Sequence, residues 1–266
     1  MSEIISTYET VLFERDEAVA TITMNRPKRR NALNRALEHD LTHALEQVRD
    51  DTGVRAVVLT GAGKSFCSGA DLASFTDGLT GEGVQRHIVE AYWPIVELLV
   101  TMEKPVIAAI NGVAAGAGCS LALACDLSVM ADDAALLQAF SNIGLIPDAG
   151  SSWFLARQVG YHLAYQIAVE GKPVAAMRCL AMGLTNKVVP ADQLLPTAQT
   201  WVQRLSKRPT LALGLTKQAL HAAMTATLAE TVELEAALQA RCVESEDSAE
   251  GIRAFMEKRE PVFKGR

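Results

Sequence analysis

Two glycine-rich stretches hold the residue types needed to meet a developing negative charge. They are Ser65-Phe66-Cys67-Ser68-Gly69-Ala70-Asp71-Leu72 and Asn111-Gly112-Val113-Ala114-Ala115-Gly116-Ala117-Gly118-Cys119. Each follows a short apolar run, VRAVVL (54–59) in the first case and residues 106–110 in the second. Each therefore reads as a turn from strand into helix, where backbone N–H groups are unpaired and the helix dipole favours an anion. Two such turns side by side at the carboxyl ends of adjacent strands make an oxyanion hole, with two preorganised N–H donors converging on one oxygen. Small residues at these positions let a substrate approach the backbone closely.

Such a site needs elements to hold it. Residues 11–13 and 19–24 are rich in β-branched side chains and predict a hairpin. In 34–48, Leu37, Leu41, Ala44, Leu45 and Val48 recur at helical spacing. Residues 54–59, 106–110 and 127–130 predict short apolar strands, and 84–102 and 116–124 predict helices, the first interrupted near Pro94. Helices alternating with continuously apolar strands imply buried, largely parallel sheets with crossover connections. Beyond Gly144 the pattern is helical (151–159, 175–182, 191–206, 211–226, 231–244, 249–258), with one short strand at 187–189. No linker or repeat divides the chain. Near its end, Ile252, Phe255, Met256 and Phe263 are better suited to covering a neighbour than to facing water, which hints at oligomerisation.

Composition narrows the function classes. Of 266 residues, 49% are hydrophobic and 21% charged, the balance of a folded soluble protein. The formal charge of −6 argues against a nucleic-acid-binding role, which needs a clustered basic surface. Five cysteines without a C-x-x-C pair fit a reduced, cytoplasmic protein. The opening MSEIISTYET has no charged-then-apolar signal region. Residues 106–125 carry no charge and are long enough to span a bilayer, but their Ala and Gly content and Asn111 predict a buried strand, turn and helix instead. No membrane partner is expected.

Several weaker patterns are set aside. His39-Asp40-Leu41-Thr42-His43 places two His at i and i+4, yet its acid is Asp rather than Glu and no third ligand follows, so no metal is expected. Gly61-Ala62-Gly63-Lys64-Ser65 ends like a phosphate loop but has Val58 where the first glycine belongs. Phe66 and Leu121 likewise replace the last glycine of a dinucleotide fingerprint. The cluster Arg26, Lys28, Arg29, Arg30 has two readings, a phosphate contact or a solvated surface turn. Cys67 and Cys119 flank the turns with no His at matching spacing and read as small packing residues.

Taken together, MNRPKRRNAL (24–33), SFCSGADL (65–72), AAINGVAAGAGCSLALACDL (108–127), IGLIPDAGSS (143–152) and FMEKREPVF (255–263) resemble the enoyl-CoA hydratase/isomerase (crotonase) superfamily over nearly the whole chain. The resemblance implies an α/β fold: a crotonase-like spiral of ββα units over 1–200 and a helical C-terminal trimerisation region over 201–266. It implies a homotrimer or dimer of trimers, an acyl-CoA thioester as substrate, and no further cofactor. Carried over by position, the oxyanion N–H groups belong to Ala70 and Ala117. Lys28, Arg30, Ala32, Ser68, Asp71, Leu72, Val113, Gly116 and Phe140 would line the bound acyl-CoA. Phe263 and Lys264 would approach its nucleotide end, in the same or a neighbouring subunit.

The carboxylates decide which reaction follows. Family hydratases carry two Glu where this chain has Ser120 and Phe140, neither of which can serve as a carboxylate base. Asp148, in Ile146-Pro147-Asp148-Ala149-Gly150-Ser151-Ser152, is the remaining acid and is similar in position to the base of Δ3,Δ2-enoyl-CoA, dienoyl-CoA and epoxyphenylacetyl-CoA isomerases. An isomerase needs only one carboxylate, which takes a proton from C2 and returns it at C4. A hydrophobic wall of Phe140, Leu145 and Ile146 would raise the pKa of this acid. The plainer reading makes Asp148 the cap of the helix beginning near Gly150. Asp71 reads as fixing its turn and Asp126 as structural. Two further functions stay open: a hydratase or hydrolase of the same fold with water held by Ser120 or Asp148, and an acyl-CoA-binding protein without chemistry. Residues 74–83 are expected to shape the acyl pocket.

Overall fold

In the computed structural model of the chain, which describes residues 3–74 and 80–266, the N-terminal hairpin opens a larger sheet. β1 (Glu3–Thr7), β2 (Val11–Asp16) and β3 (Val19–Met24) run antiparallel. From β3 onward the sheet is parallel, through β4 (Ala56–Gly61), β6 (Val106–Ile110), β8 (Leu127–Ala131) and β11 (Lys187–Val189). Every residue of β4 and β6 is buried, which is why these strands read as unbroken apolar runs.

A second sheet has the order β10-β9-β7-β5, from β5 (Ser65–Cys67), β7 (Val113–Ala115), β9 (Ala135–Leu137) and β10 (Pro173–Ala175). The glycine-rich stretches are thus not turns alone. Each carries a three-residue strand, and β5 and β7 pair in parallel through Ser65–Val113 and Cys67–Ala114. Strands this short show no alternation for a sequence pattern to reveal.

Helix α1 (Arg35–Asp50) starts where Asn34 accepts the Leu37 N–H at 3.1 Å, and its apolar stripe packs on β2, β3 and the helix at Trp93–Thr101. The helical stretch 84–102 divides into α2 (Gly81–His87), a π-helical turn (Ile88–Tyr92) and α3 (Trp93–Thr101). The interruption lies just before Pro94, which occupies the first turn of α3, where a missing N–H costs nothing. Then come α4 (Ala117–Ala124), α5 (Ser151–Val159), α6 (Tyr161–Glu170) and α7 (Ala176–Met182). α8 (Leu194–Ser206) lies across β3, β4, β6 and β8 with Ala198 and Val202 fully buried, so residue 200 falls inside a helix of the core. α9 (Thr210–Ala223), α10 (Leu228–Val243) and α11 (Glu246–Glu257) follow. A buried ion pair, Lys217 with Asp126 at 3.0 Å, ties α9 to the core, and Asp126 also accepts the Val106 N–H at 2.8 Å. The uncharged stretch 106–125 is β6, β7 and α4, and among the described residues no helix is long and apolar enough to cross a membrane.

Candidate active site

The two turns are nested against each other, and glycine makes this possible. A Cβ on Gly69 would stand 2.8 Å from the Ala115 carbonyl oxygen and 3.4 Å from the Ala117 nitrogen. One on Gly118 would collide with the Cys67 carbonyl, and one on Gly112 with that of Lys64. The backbones of 64–69 and 112–118 therefore lie against each other.

Hydrogen bonding then leaves one amide free on each side. Leu33 donates to the Gly69 carbonyl at 2.8 Å and accepts from Asp71 N–H at 2.7 Å, making a single parallel bridge between Leu33 and Ala70. In a pleated strand alternate amides face opposite ways, so the Ala70 N–H points away from Leu33. Ala117 is the first residue of α4, following Gly116 at φ +51, and its N–H precedes the intrahelical ladder. Neither N–H has a partner among the described residues.

The turn at 26–33 braces this arrangement. Arg26 bonds the Ala32 carbonyl and meets Asp71 Oδ2 at 2.9 Å, both side chains being largely buried. Arg26 thus belongs with the oxyanion turn and differs from the exposed Lys28, Arg29 and Arg30 beside it. Asn31 is fully buried at φ +55, where its Nδ2 donates to the carbonyls of Ala62 and Ser65 at 2.9 and 2.8 Å. Its Oδ1 accepts the Arg26 N–H at 2.9 Å. The sequence marked this segment for acyl-CoA contact and missed Asn31, although an Asn after a basic turn is a signal for a left-handed residue.

Asp148 lies in the segment between Phe140 and α5, tied to α4 through Ser120. The helix-cap reading fails: Gly150 is the N-cap of α5, and no side chain caps it. The Asp148 main-chain carbonyl instead accepts from Ser151 N–H and from Ser120 Oγ, each at 3.0 Å. Its carboxylate has a buried Oδ1 with no hydrogen-bond partner among the described residues, and burial pushes its pKa up to about 6. The wall that buries it is not the expected one. Phe140 is buried beside Gly116, but Leu145 and Ile146 are 47% and 82% exposed, because the chain turns outward between Ile143 and Pro147. Tyr92, buried, senses the charges of both Asp148 and Glu38, and burial raises its pKa. Glu38 is itself buried, its pKa raised by burial against the pull of His87 at 3.1 Å.

The structure brings together Ala70, Ala117, Gly116, Phe140, Asp71 and Ser68, whose N–H donates to Arg30 at 3.0 Å. Leu72 and Val113 lie exposed on the same two turns, and Ala32 is buried behind them. Within one copy of the chain, Phe263 and Lys264 are not brought here. Arg55 holds the Phe263 carbonyl at 2.8 Å and the buried Asp247 accepts the Gly265 N–H at 2.8 Å. Arg55 precedes β4, so the tail sits at the end of that strand away from the turns, roughly 20 Å distant for six residues. Ser120 is fully buried with its hydroxyl engaged by Ser151 at 2.7 Å, so it is not placed to hold a reacting water. Burial pushes the Cys67 and Cys119 thiols up to about 12, as suits packing residues. His39 and His43 meet edge to face at 4.0 Å on the exposed side of α1.

A family profile described as enoyl-CoA hydratase/isomerase matches residues 14–266. A Rhodobacter capsulatus protein named "Probable enoyl-CoA hydratase" is 42% identical over 260 residues, covering 97% of this chain and 99% of its own. The Escherichia coli 1,2-epoxyphenylacetyl-CoA isomerase is 40% identical over 260 residues, with the same coverage of 97% and 99%. A crystal structure of enoyl-CoA hydratase from Bacillus anthracis superposes with a TM-score of 0.91 at 31% identity, covering 97% of this chain and 100% of that one. With the paired glycine turns and the parallel strands that carry them, these similarities place the chain in the enoyl-CoA hydratase/isomerase family.

Proposed function

We propose that the chain is an acyl-CoA isomerase that shifts a double bond using Asp148 as its one proton carrier. The observation that carries this reading is the half-buried carboxylate of Asp148, whose inaccessible Oδ1 has no partner among the described residues, in a chain where Ser120 and Phe140 stand in place of the two acids of family hydratases. The N–H groups of Ala70 and Ala117 would receive the thioester oxygen, so that negative charge collects there as a proton leaves C2. Asp148 takes that proton as the C2–H electrons form the enolate. It returns the proton at C4, where the electrons of the 3,4 double bond form the new C–H bond, while the enolate pair between C1 and C2 moves to the 2,3 position and the thioester carbonyl re-forms. No water enters. A proton affinity raised by burial suits an acid that must both accept and release a proton near neutral pH. Lys28, Arg30 and Ser68 would meet the CoA portion, and the exposed Ile252, Phe255 and Met256 on α11 support assembly with copies of the same chain.

Similarity to the Escherichia coli epoxyphenylacetyl-CoA isomerase supports the isomerase reading, and the hydratase name of the Rhodobacter capsulatus relative favours water addition as the second reading. Purified protein and Asp148→Asn are offered 3-enoyl-CoA and 2-enoyl-CoA thioesters. Double-bond migration is expected to fall to a small but measurable residual rate in the variant. Water addition that survives in Asp148→Asn overturns the proposal in favour of the second reading.

A further inference from the structure

We infer that Ser120, Ser151 and Gln138 form a hydrogen-bonded strut whose task is to set where the Asp148 carboxylate stands. The inference rests on Asp148 being the working acid. Neither carboxylate oxygen of Asp148 is hydrogen-bonded among the described residues, so its own side chain does not fix its position. The main chain must do so, and the strut ends on the Asp148 main-chain carbonyl.

The chemistry of the four groups sets the order of the protons. A carbonyl only accepts, so Ser120 Oγ donates to Asp148 O at 3.0 Å. Ser120 Oγ then accepts from the Ser151 hydroxyl at 2.7 Å, and Ser151 Oγ accepts from Gln138 Nε2 at 3.0 Å. This order turns the Gln138 amide so that Oε1 has no partner, the second such buried atom beside Asp148 Oδ1. All three side chains are at most 1% exposed, so the strut works in a dry interior where each link is stronger than in water.

What it restrains is a segment under conformational load. Ala149, with a side chain and buried, sits at φ +48, and Gly150 at φ +85. Two consecutive left-handed residues directly after the acid give the segment an incentive to relax, and the relaxation would carry the carboxylate with it. The strut opposes this from three elements at once: α4 through Ser120, the start of α5 through Ser151, and the chain after β9 through Gln138. None of the three need touch the substrate. They are positioning residues.

The test compares Ser120→Ala and Ser120→Cys with the parent protein in kcat and KM for double-bond migration, alone and in the Asp148→Asn background, with a melt and a crystal structure of each. Ser120→Ala is expected to lower kcat about 10- to 100-fold with KM nearly unchanged and the fold intact. Ser120→Cys, which keeps the volume and a weak donor, is expected to fall between. In the Asp148→Asn background Ser120→Ala is expected to cost nothing more, and residues 147–150 are expected to be displaced in its crystal structure. A kcat that stays at the parent value, or a loss that multiplies with that of Asp148→Asn, overturns the inference. Should Ser120→Ala not fold, Ser120→Cys carries the same comparison. Should the parent protein shift no double bond, the isomerase reading fails by itself, and the crystal structures decide the strut: displacement supports it and an unmoved segment overturns it.

Discussion

Gly69 and Ala117 stand so close that a methyl group on the first would lie 3.4 Å from the nitrogen of the second. The same methyl would lie 2.8 Å from Ala115 O, and Gly69 holds φ +86, a conformation that L side chains rarely adopt. Gly69→Ala is therefore expected to push the two turns apart. Since one misplaced oxyanion donor costs about 10²- to 10³-fold in kcat, turnover should fall by that order while stability falls by about 1–3 kcal/mol. Steady-state kinetics beside a thermal melt separates the two effects, and an unchanged kcat would remove Ala70 and Ala117 from the mechanism.

Asp148 gives a pH dependence with a definite sign. Its pKa lies above the ordinary carboxylate value, at about 6, because burial disfavours the charge. The native state thus binds the proton more tightly than the unfolded chain does. Its contribution to stability is complete below the unfolded value of 3.8 and is lost as pH rises through about 6. Asp148→Asn should accordingly be more stable than the parent protein by roughly 1–3 kcal/mol at pH 8, and by nearly nothing at pH 4. In the active protein the proton-accepting form appears only above that range, so kcat/KM should climb to a plateau with a midpoint near 6. Urea titrations and a pH–rate profile check the two halves.

Asn31 holds the carbonyls of Ala62, Ser65 and Phe66 and the amide of Arg26 from a left-handed, fully buried position. Asn31→Ala should leave those groups unpaired and strain the backbone, at about 3 kcal/mol or more. Arg26 and Asp71 would lose their support with it, so kcat should drop in a variant that remains folded at low temperature. Equilibrium unfolding together with kinetics at 10–15 °C, a range chosen because stability peaks near there, measures both.

Lys217 is the counter-charge of Asp126 and is nearly inaccessible itself. Lys217→Met should destabilise by about 3–5 kcal/mol, because it strands a buried carboxylate. Adding Asp126→Asn, which can still accept from Val106 N–H, should recover most of the loss. If the double variant is no better than the single one, the pair is not what couples α9 to the core.

Periodicity and apolar runs were enough to read the large elements: β6 and α5 appear with the bounds their hydrophobic runs imply, and Pro94 marked the break between α2 and α3. The motifs identified the glycine turns because backbone proximity demands glycine there. What did not show was anything made by long-range hydrogen bonding. The second sheet is built from three-residue strands, and the roles of Asn31, Ser120 and Gln138 depend on partners brought near only by the fold. The wall around Asp148 is hidden from the sequence for the same reason. Sequence neighbours Leu145 and Ile146 face outward, whereas Tyr92, distant in the chain, lies near the acid. Of the stretch expected to shape the acyl pocket, residues 75–79 lie outside the described residues, and Thr80 caps α2.

The π-helical turn at Ile88–Tyr92 carries a consequence for that distant tyrosine. His87 and Tyr92 are five residues apart, and on a regular α-helix side chains so spaced diverge by about 140° around the axis. Here the wider winding, closed by Trp93 N–H on the Ile88 carbonyl, brings their rings edge to face at 4.8 Å. A single surplus residue in the coil thereby joins the Glu38–His87 pair to the phenol that senses Asp148, and a regular α-helical winding of the same residues would turn the two rings away from each other.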